Sequence, residues 1–418
     1  MAINQTTTRQ KLSLDFWKYW TGQTISNLGS SITLFALPLL VYQLTGSAIN
    51  LGIATAATGL PYLLFGLVLG AWTDRVNRKR MMIATDILRA LIIATIPAFA
   101  LLHILDVWWI YAVSFIHSTL TFCFNAGEFA AIPSLVSQDD LVTANGRIEA
   151  SYSGASVLGP LLAGILVAFM SIAMLMSLDA LSFLLSAISL MLIGISFNRT
   201  DSVQKERTSI GHDVMEGLRY VLRHPVLRNI SIMMALVNFV FSSVGAEVVL
   251  FTKTQFHASN TQIGLFYSAG SVGIVVLALL AGPLRKRWSF STVALSALMA
   301  DGLLTLLMAL IHWYWLGLLL WAFASGTGIL FNINTGSLRQ AIVPNAMLGR
   351  VISIARVLAW SAIPLGALLG GYAIAWTHNV ALVYAVIGGL AFLIPLGFSF
   401  TALGHADKYL LKEELVQV

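Results

Sequence analysis

Apolar runs of roughly twenty residues recur along the whole of this 418-residue chain. Each is long enough to cross ~30 Å of hydrocarbon as a helix. Hydrophobic residues are 58% of the sequence and charged residues 10%. A soluble domain carries roughly a quarter charged residues, so this chain has too few to cover a water-facing surface. Twelve spans can be drawn, near 14–43, 47–71, 81–103, 107–136, 144–170, 172–197, 227–252, 259–283, 290–312, 313–342, 350–376 and 380–403. The first thirteen residues are polar and the run after them is long, with no small-residue cleavage site. The first span therefore reads as a retained helix, not a signal peptide. The expectation is an all-α membrane protein of twelve transmembrane helices.

Charge placement gives the orientation. With the N-terminus inside, 21 of the 24 Lys and Arg residues fall in inner segments or at their helix ends. Arg89 and Arg356 lie within spans, and Lys253 alone falls in an outer loop. Basic residues in short loops set topology, so both termini are expected in the cytoplasm, with the chain in a bacterial inner membrane. This asymmetry also explains the net charge of +6 without nucleic acid. The single cysteine, Cys123, excludes an internal disulfide framework and a thiolate metal cluster. Scattered histidines show no metal-ligand spacing. There is no phosphate loop, and Gly326-Thr-Gly328 lacks the strand and third glycine of a dinucleotide site. No cofactor is expected.

The longest connection, Asn198 to Leu227, divides the chain into an amino-terminal bundle (1–197), a linker (198–226) and a carboxy-terminal bundle (227–418). Within the linker, Ile210, Val214, Leu218 and Leu222 recur every fourth residue, the pattern of a helix lying at the membrane surface. His224-Pro225 ends it. The bundles resemble each other. Phe124-Asn125 in the fourth span answers Phe331-Asn332 in the tenth. The same offset lays Gly159–Gly164 on Gly366–Gly371. In the second and eighth spans, Asn50-Leu51-Gly52 answers Gln262-Ile263-Gly264, and Gly70 answers Gly282. Two parallel six-helix halves are a transporter architecture, with the solute site between them.

Intramembrane ionisable residues each cost ~2.5–3.5 kcal/mol at mid-bilayer on insertion scales, so each needs a reason. Asp86 and Arg89, three apart, read as a structural ion pair. Glu128, Asp179, Glu247 and Asp301 have no such local partner. A carboxylate stripped of water holds its proton more readily, which suits proton coupling. The alternatives are a salt bridge, with Arg356 a candidate partner, or hydrogen bonds to a neighbouring helix. Gln23, Asn27, Asn125, Asn238, Asn332 and Asn334 are amides at buried depth. With Phe124, Phe331, Trp321, Trp360 and Arg356 they are candidates for the wall of a cavity that takes amphipathic ligands. Interhelical hydrogen bonding is their structural alternative.

The segment Gly70-Ala-Trp-Thr-Asp74-Arg75-Val-Asn77-Arg78-Lys79-Arg80 resembles the loop 2–3 signature of the major facilitator superfamily. Asn77 stands where the signature has its second glycine; asparagine tolerates a left-handed backbone better than most residues. Gly154-Ala-Ser-Val-Leu-Gly159-Pro160-Leu-Leu-Ala-Gly164 is similar to the glycine-rich element of that family's exporters, with Ala163 in place of one glycine. Trp20-Thr-Gly22-Gln23, Leu44-Thr-Gly46-Ser47 and Phe183-Leu-Leu-Ser186 also resemble its twelve-helix drug–proton antiporter branch, which includes macrolide-efflux proteins and siderophore exporters.

That resemblance implies export of an amphipathic small molecule, driven by proton entry, from a monomer in the lipid bilayer. It implies that Asp74 latches the halves in the outward-facing state, with Arg75 and Arg78 in its charge network and Gly70 allowing close helix approach. It further implies that spans 1, 4, 7 and 10 line the cavity. Glu128 and Glu247 are thereby favoured for proton handling over Asp179 and Asp301, whose spans are peripheral. A lysophospholipid, siderophore or other endogenous metabolite is the alternative cargo. A transporter-like sensor or an intramembrane enzyme is the rival class, but the sequence offers neither a signalling domain nor a nucleophile–base pair.

Overall fold

The structure is a computed structural model and describes residues 12–73, 76–137, 140–197, 210–406 and 408. In hydrocarbon, backbone amides have no water to bond, so the apolar runs close their hydrogen bonds within themselves as helices. The helices are α1 (Leu14–Thr45), α2 (Ala48–Thr73), α3 (Arg78–Leu101), α4 (Val107–Leu135), α5 (Leu141–Leu166), α6 (Ile172–Met191) and α7 (Ile210–Arg223). They continue as α8 (Pro225–Gln255), α9 (Asn260–Arg287), α10 (Phe290–Leu310), α11 (Tyr314–Ile342), α12 (Asn345–Trp360), α13 (Ile363–Thr377) and α14 (Val380–Ser399). Short polar residues start many of them. Ser13, Asp106, Ser171, Ser289 and Asn379 accept a first-turn amide, and Ser259 with Gln262 forms a full capping box.

Among the described residues, eleven segments are long and apolar enough to cross a membrane. The twelfth pass, α5, is more polar because Asn145, Arg147 and Glu149 occupy its first turns. It is wedged between α1 and α9. The eleventh span differs from the single helix expected over 350–376: it is α12 and α13, broken after Trp360. Pro364 has no N–H to give to the Trp360 carbonyl, so the ladder cannot continue there.

Asn77 also differs from expectation. Its φ is −69°, not left-handed, and its side chain caps α3 by accepting the amide of Arg80 at 3.0 Å. The glycine-like freedom anticipated at this position is not used. Linker helix α7 packs on α12 and α8 through buried Val221 and partly buried Leu218. Leu222, counted in the expected apolar stripe, is exposed; the buried face is rotated toward Val221.

The halves meet along two seams, α2 with α13 and α5 with α9. These are pseudo-symmetric, as the repeated glycines foreshadowed. Gly159 lies on Ser31 of α1, while Gly164 touches Gly264 and Thr261 of α9. Correspondingly, Gly366 lies on Phe239 of α8, and Gly371 touches Ala48 of α2. A Cβ at Gly264 would stand 2.5 Å from the Pro160 carbonyl oxygen, so the backbones meet there without side chains between them. Thr261, Ser268 and Ser271 of α9 donate across the seam to the carbonyls of Gly164, Val157 and Ser156, at 2.9, 2.8 and 2.7 Å.

The packing differs between the two ends of the bundle. At the end formed by the short hairpins, one hydrophobic core joins both halves, from Ile32 and Phe35 through Val248 and Phe251 to Tyr384. At the end carrying the linker and termini, the amino-terminal half has its own core around Phe16, Tyr19 and Phe124. The carboxy-terminal half has a separate one around Ile230, Phe290 and Phe331. Among the described residues, the hydrophobic core is shared by the halves at the hairpin end and divided between them at the terminal end.

Candidate solute and proton sites

The amino-terminal half holds a buried polar network. Arg89, on α3, pairs with Asp86 one turn earlier, as their spacing predicted. Asp86 accepts a hydrogen bond from Ser186 Oγ at 2.6 Å, and Ser186 accepts one from Gln23 Nε2 at 2.7 Å. The Arg89 guanidinium lies between the rings of Phe124 and Phe183, 4.3 and 4.4 Å from their centroids, a favourable seat for a desolvated cation. Gln23 is thus 4% exposed and committed to α6; the cavity role expected for it is not where the structure puts it.

Glu128, on α4, is satisfied by two hydroxyls that the sequence reading did not name. Tyr19 of α1 donates to one oxygen at 2.5 Å and Tyr152 of α5 to the other at 2.9 Å. Among the described residues, no salt bridge to Arg356 forms; Arg356 is exposed on α12. Asp179, on α6, accepts from Ser182 at 3.2 Å and Ser30 of α1 at 3.4 Å, the interhelical role weighed for it.

Glu247, on α8, is fully buried, and among the described residues neither of its oxygens finds a hydrogen-bond partner. It stands at the α2–α13 seam. A Cβ at Gly371 would lie 2.7 Å from the Ala48 carbonyl oxygen and 3.1 Å from Glu247 Oε1. The carboxyl group is therefore sealed by the contact that closes the hairpin end.

Asp301 sits on α10, which packs on α14 and α11, and faces into its own half. It lines a cavity of about 230 Å³ inside the carboxy-terminal half, between α8, α10 and α11. Asn238, Asn332, Trp321 and Phe331 line the same cavity, so four of the residues singled out for a cavity wall do converge. Asn238 also donates to the Ala359 carbonyl at 2.9 Å, tying α8 to α12.

Other candidates are dispersed. Asn334 is 3% exposed and donates to Leu330 of its own helix at 2.7 Å, which removes it from a cavity wall. Asn27 is half-buried and its Nδ2 has no partner among the described residues. Asn125, although in the middle of α4, is exposed. Trp360 meets Tyr62 of α2 edge to face at 5.3 Å, an aromatic contact between the halves that sequence reasoning missed.

Within the glycine element, Gly159 packs on α1, Pro160 and Gly164 meet α9 at the seam, and a Cβ at Gly154 would meet nothing within 4 Å. Asp74 and Arg75, on which the latch reading falls, lie outside the described residues. Gly70 lies in the last turns of α2. Arg78 begins α3 and donates to the Phe197 carbonyl at 3.4 Å, and Lys79 to that of Ile193 at 2.5 Å.

Comparison with known proteins agrees with this architecture. The profile of the Major Facilitator Superfamily matches residues 19–358. The multidrug efflux pump Tap of Mycolicibacterium fortuitum is 30% identical over 356 residues, 82% of this chain and 85% of that protein. Macrolide efflux protein A of Streptococcus pyogenes is 26% identical over 269 residues, 64% of this chain and 66% of that protein, just under two thirds of its length. Among solved structures, the nucleoside transporter NupG superposes with a TM-score of 0.79 at 13% identity, covering 94% of this chain and 99% of NupG. A bacterial homologue of the iron transporter ferroportin, in an inward-facing state, gives 0.72 at 17% identity, covering 93% of this chain and all of that one. Such identities speak for the fold alone. The chain is a multi-pass membrane protein and a member of the major facilitator superfamily.

Proposed function

We propose that this protein exports an amphipathic small molecule, of drug or macrolide-like character, by proton antiport and alternating access. The observation that carries the reading is the uneven packing: one core fuses the halves at the hairpin end, and two separate cores leave them parted at the terminal end. With both termini cytoplasmic, as the basic residues favour, this arrangement loads from the inside. The efflux proteins among the relatives support the direction and the cargo class. The chain works as a monomer in the bacterial inner membrane, and Asp74, with Gly70, Arg75 and Arg78, latches the outward-facing state.

Proton coupling falls to Glu128 and Glu247. Rocking the halves apart at the α2–α13 seam wets Glu247 from outside, where it takes a proton. Closing the seam leaves that proton to be released inward, with Glu128 and its two tyrosines nearer the open side. Everted membrane vesicles provide the test. A proton gradient, acidic inside, should drive uptake of a macrolide or a lipophilic dye, and dissipating the gradient should stop it. Uptake indifferent to the gradient would remove the antiport mechanism, and absence of any uptake across a broad panel would remove the cargo class.

A further inference from the structure

The two halves solve one problem differently at equivalent positions. Helices α3 and α10 begin at Arg78 and Phe290, and the same offset carries Arg89 onto Asp301 and Asp86 onto Leu298. Helices α4 and α11 run from Val107 to Leu135 and from Tyr314 to Ile342. Their offset carries Phe124 onto Phe331. In the amino-terminal half the place beside Phe124 is filled by the Arg89 guanidinium, paired with Asp86. In the carboxy-terminal half the corresponding place, beside Phe331, is the cavity of about 230 Å³, with Asp301 and Leu298 on its wall. Among the described residues, no cation and no hydrogen-bond donor meets Asp301. At the position equivalent to Arg89 the carboxy-terminal half thus has no cation of its own but an acid, an aromatic ring and room for one; Arg339, lower on α11, is turned to the Met234 sulfur at 3.3 Å.

From this juxtaposition we infer that the Asp301 cavity binds the cationic head of an organic ammonium ligand, held by the carboxylate and by the rings of Phe331 and Trp321. Rings beside a desolvated cation attract it through their negative faces, and a carboxylate supplies the opposite charge. Asn238 and Asn332 supply amide dipoles on the same wall. The volume limits what enters. Pockets that take whole drug-sized molecules occupy roughly 300–1,000 Å³, so this one admits an aryl- or alkylammonium arm while the rest of a larger ligand lies outside it. The inference rests on the proposed amphipathic cargo, and adds that the cargo carries a positive charge and docks it in the carboxy-terminal half.

The test is equilibrium binding to the purified full-length protein, which requires neither a direction of transport nor a proton gradient. Benzyltrimethylammonium is compared with neopentylbenzene, its uncharged isostere. Asp301→Asn should weaken binding of the ammonium at least tenfold and leave the hydrocarbon unchanged, whereas Asp301→Glu should stay within a few-fold of the wild type. Gly328→Leu, whose added side chain enters the cavity beside Asp301, where a Cβ would stand 3.7 Å from Oδ2, should abolish binding of both. It decides the matter should Asp301→Asn not yield monodisperse protein. Ammonium binding unaffected by Asp301→Asn or by Gly328→Leu overturns the assignment, as does equal loss of both ligands in Asp301→Asn. Ammonium binding lost in Asp301→Asn while everted vesicles show no gradient-driven uptake would keep the site and reject the antiport reading.

Discussion

The acids singled out in the membrane end in different environments, and environment decides what each can do. Asp179 is tied by hydroxyls to its own helix and to α1. Glu128 shares its two oxygens between two tyrosines. Glu247 has no partner among the described residues and is sealed at a seam that the proposed alternating access would open. Glutamine at 128 or 247 mimics a permanently protonated group, so Glu128→Gln and Glu247→Gln should each reduce gradient-driven uptake more than tenfold. Substrate exchange in the absence of a gradient should persist. Undiminished gradient dependence in both variants would make these acids structural. Arg89 gives a stability prediction. Arg89→Leu strands Asp86 as a buried, unpaired charge and should cost about 3–5 kcal/mol. The double variant Asp86→Leu with Arg89→Leu removes both charges and should recover most of that loss. Thermal unfolding in detergent reads the difference, and a double variant as unstable as the single one would show that the pair is not the reason.

At the scale of elements, the seams are made by backbones in contact, and their strength depends on the absence of side chains. Gly264→Val would drive a branched side chain into the Pro160 carbonyl, 2.5 Å from the Cβ position. It should prise α5 from α9, lower the unfolding temperature and prevent closure of the hairpin end. Gly282, on the same helix, faces open space at its Cβ, and Gly282→Val should be near neutral. Equal effects of the two substitutions on transport would contradict the seam. The repeated glycines were legible in the sequence because they recur at one offset. The break between α12 and α13 was also written there, in Pro364, but hydropathy bridged it and the span was drawn through. Linker helix α7 shows the limit of periodicity: a four-residue stripe marks one face, but only its docking on α12 and α8 decides that Val221 is buried and Leu222 is not.

For the whole molecule, closure at one end and separation at the other predict sided access. In a Cys123→Ser background, cysteine placed at Asn125 or Asn332, both exposed in mid-helix, should react quickly with a membrane-impermeant maleimide in everted vesicles. In right-side-out cells the reaction should be slow. Reporter fusions should place the C-terminus in the cytoplasm and Ser259 outside. A C-terminus reported outside the cell would reverse the topology, and rapid labelling from both sides would reject the closed hairpin end.

Hydropathy, charge asymmetry and internal repetition are properties of short stretches, so the sequence by itself determined the all-helical class, the two halves, the Asp86–Arg89 pair and the family resemblance. What faces what is different, because it depends on the rotation of each helix about its axis and on which helix becomes its neighbour. Tyr19 and Tyr152 reach Glu128 from helices far apart in the chain, and nothing local to Glu128 names them. A span read as peripheral says nothing about which of its faces Asp301 occupies; the tertiary structure turns that face inward, where α8, α10 and α11 leave a gap. Carboxylates of like appearance in the sequence thus became a hydroxyl-bound base, a sealed seam acid and a cavity wall only when the helices packed.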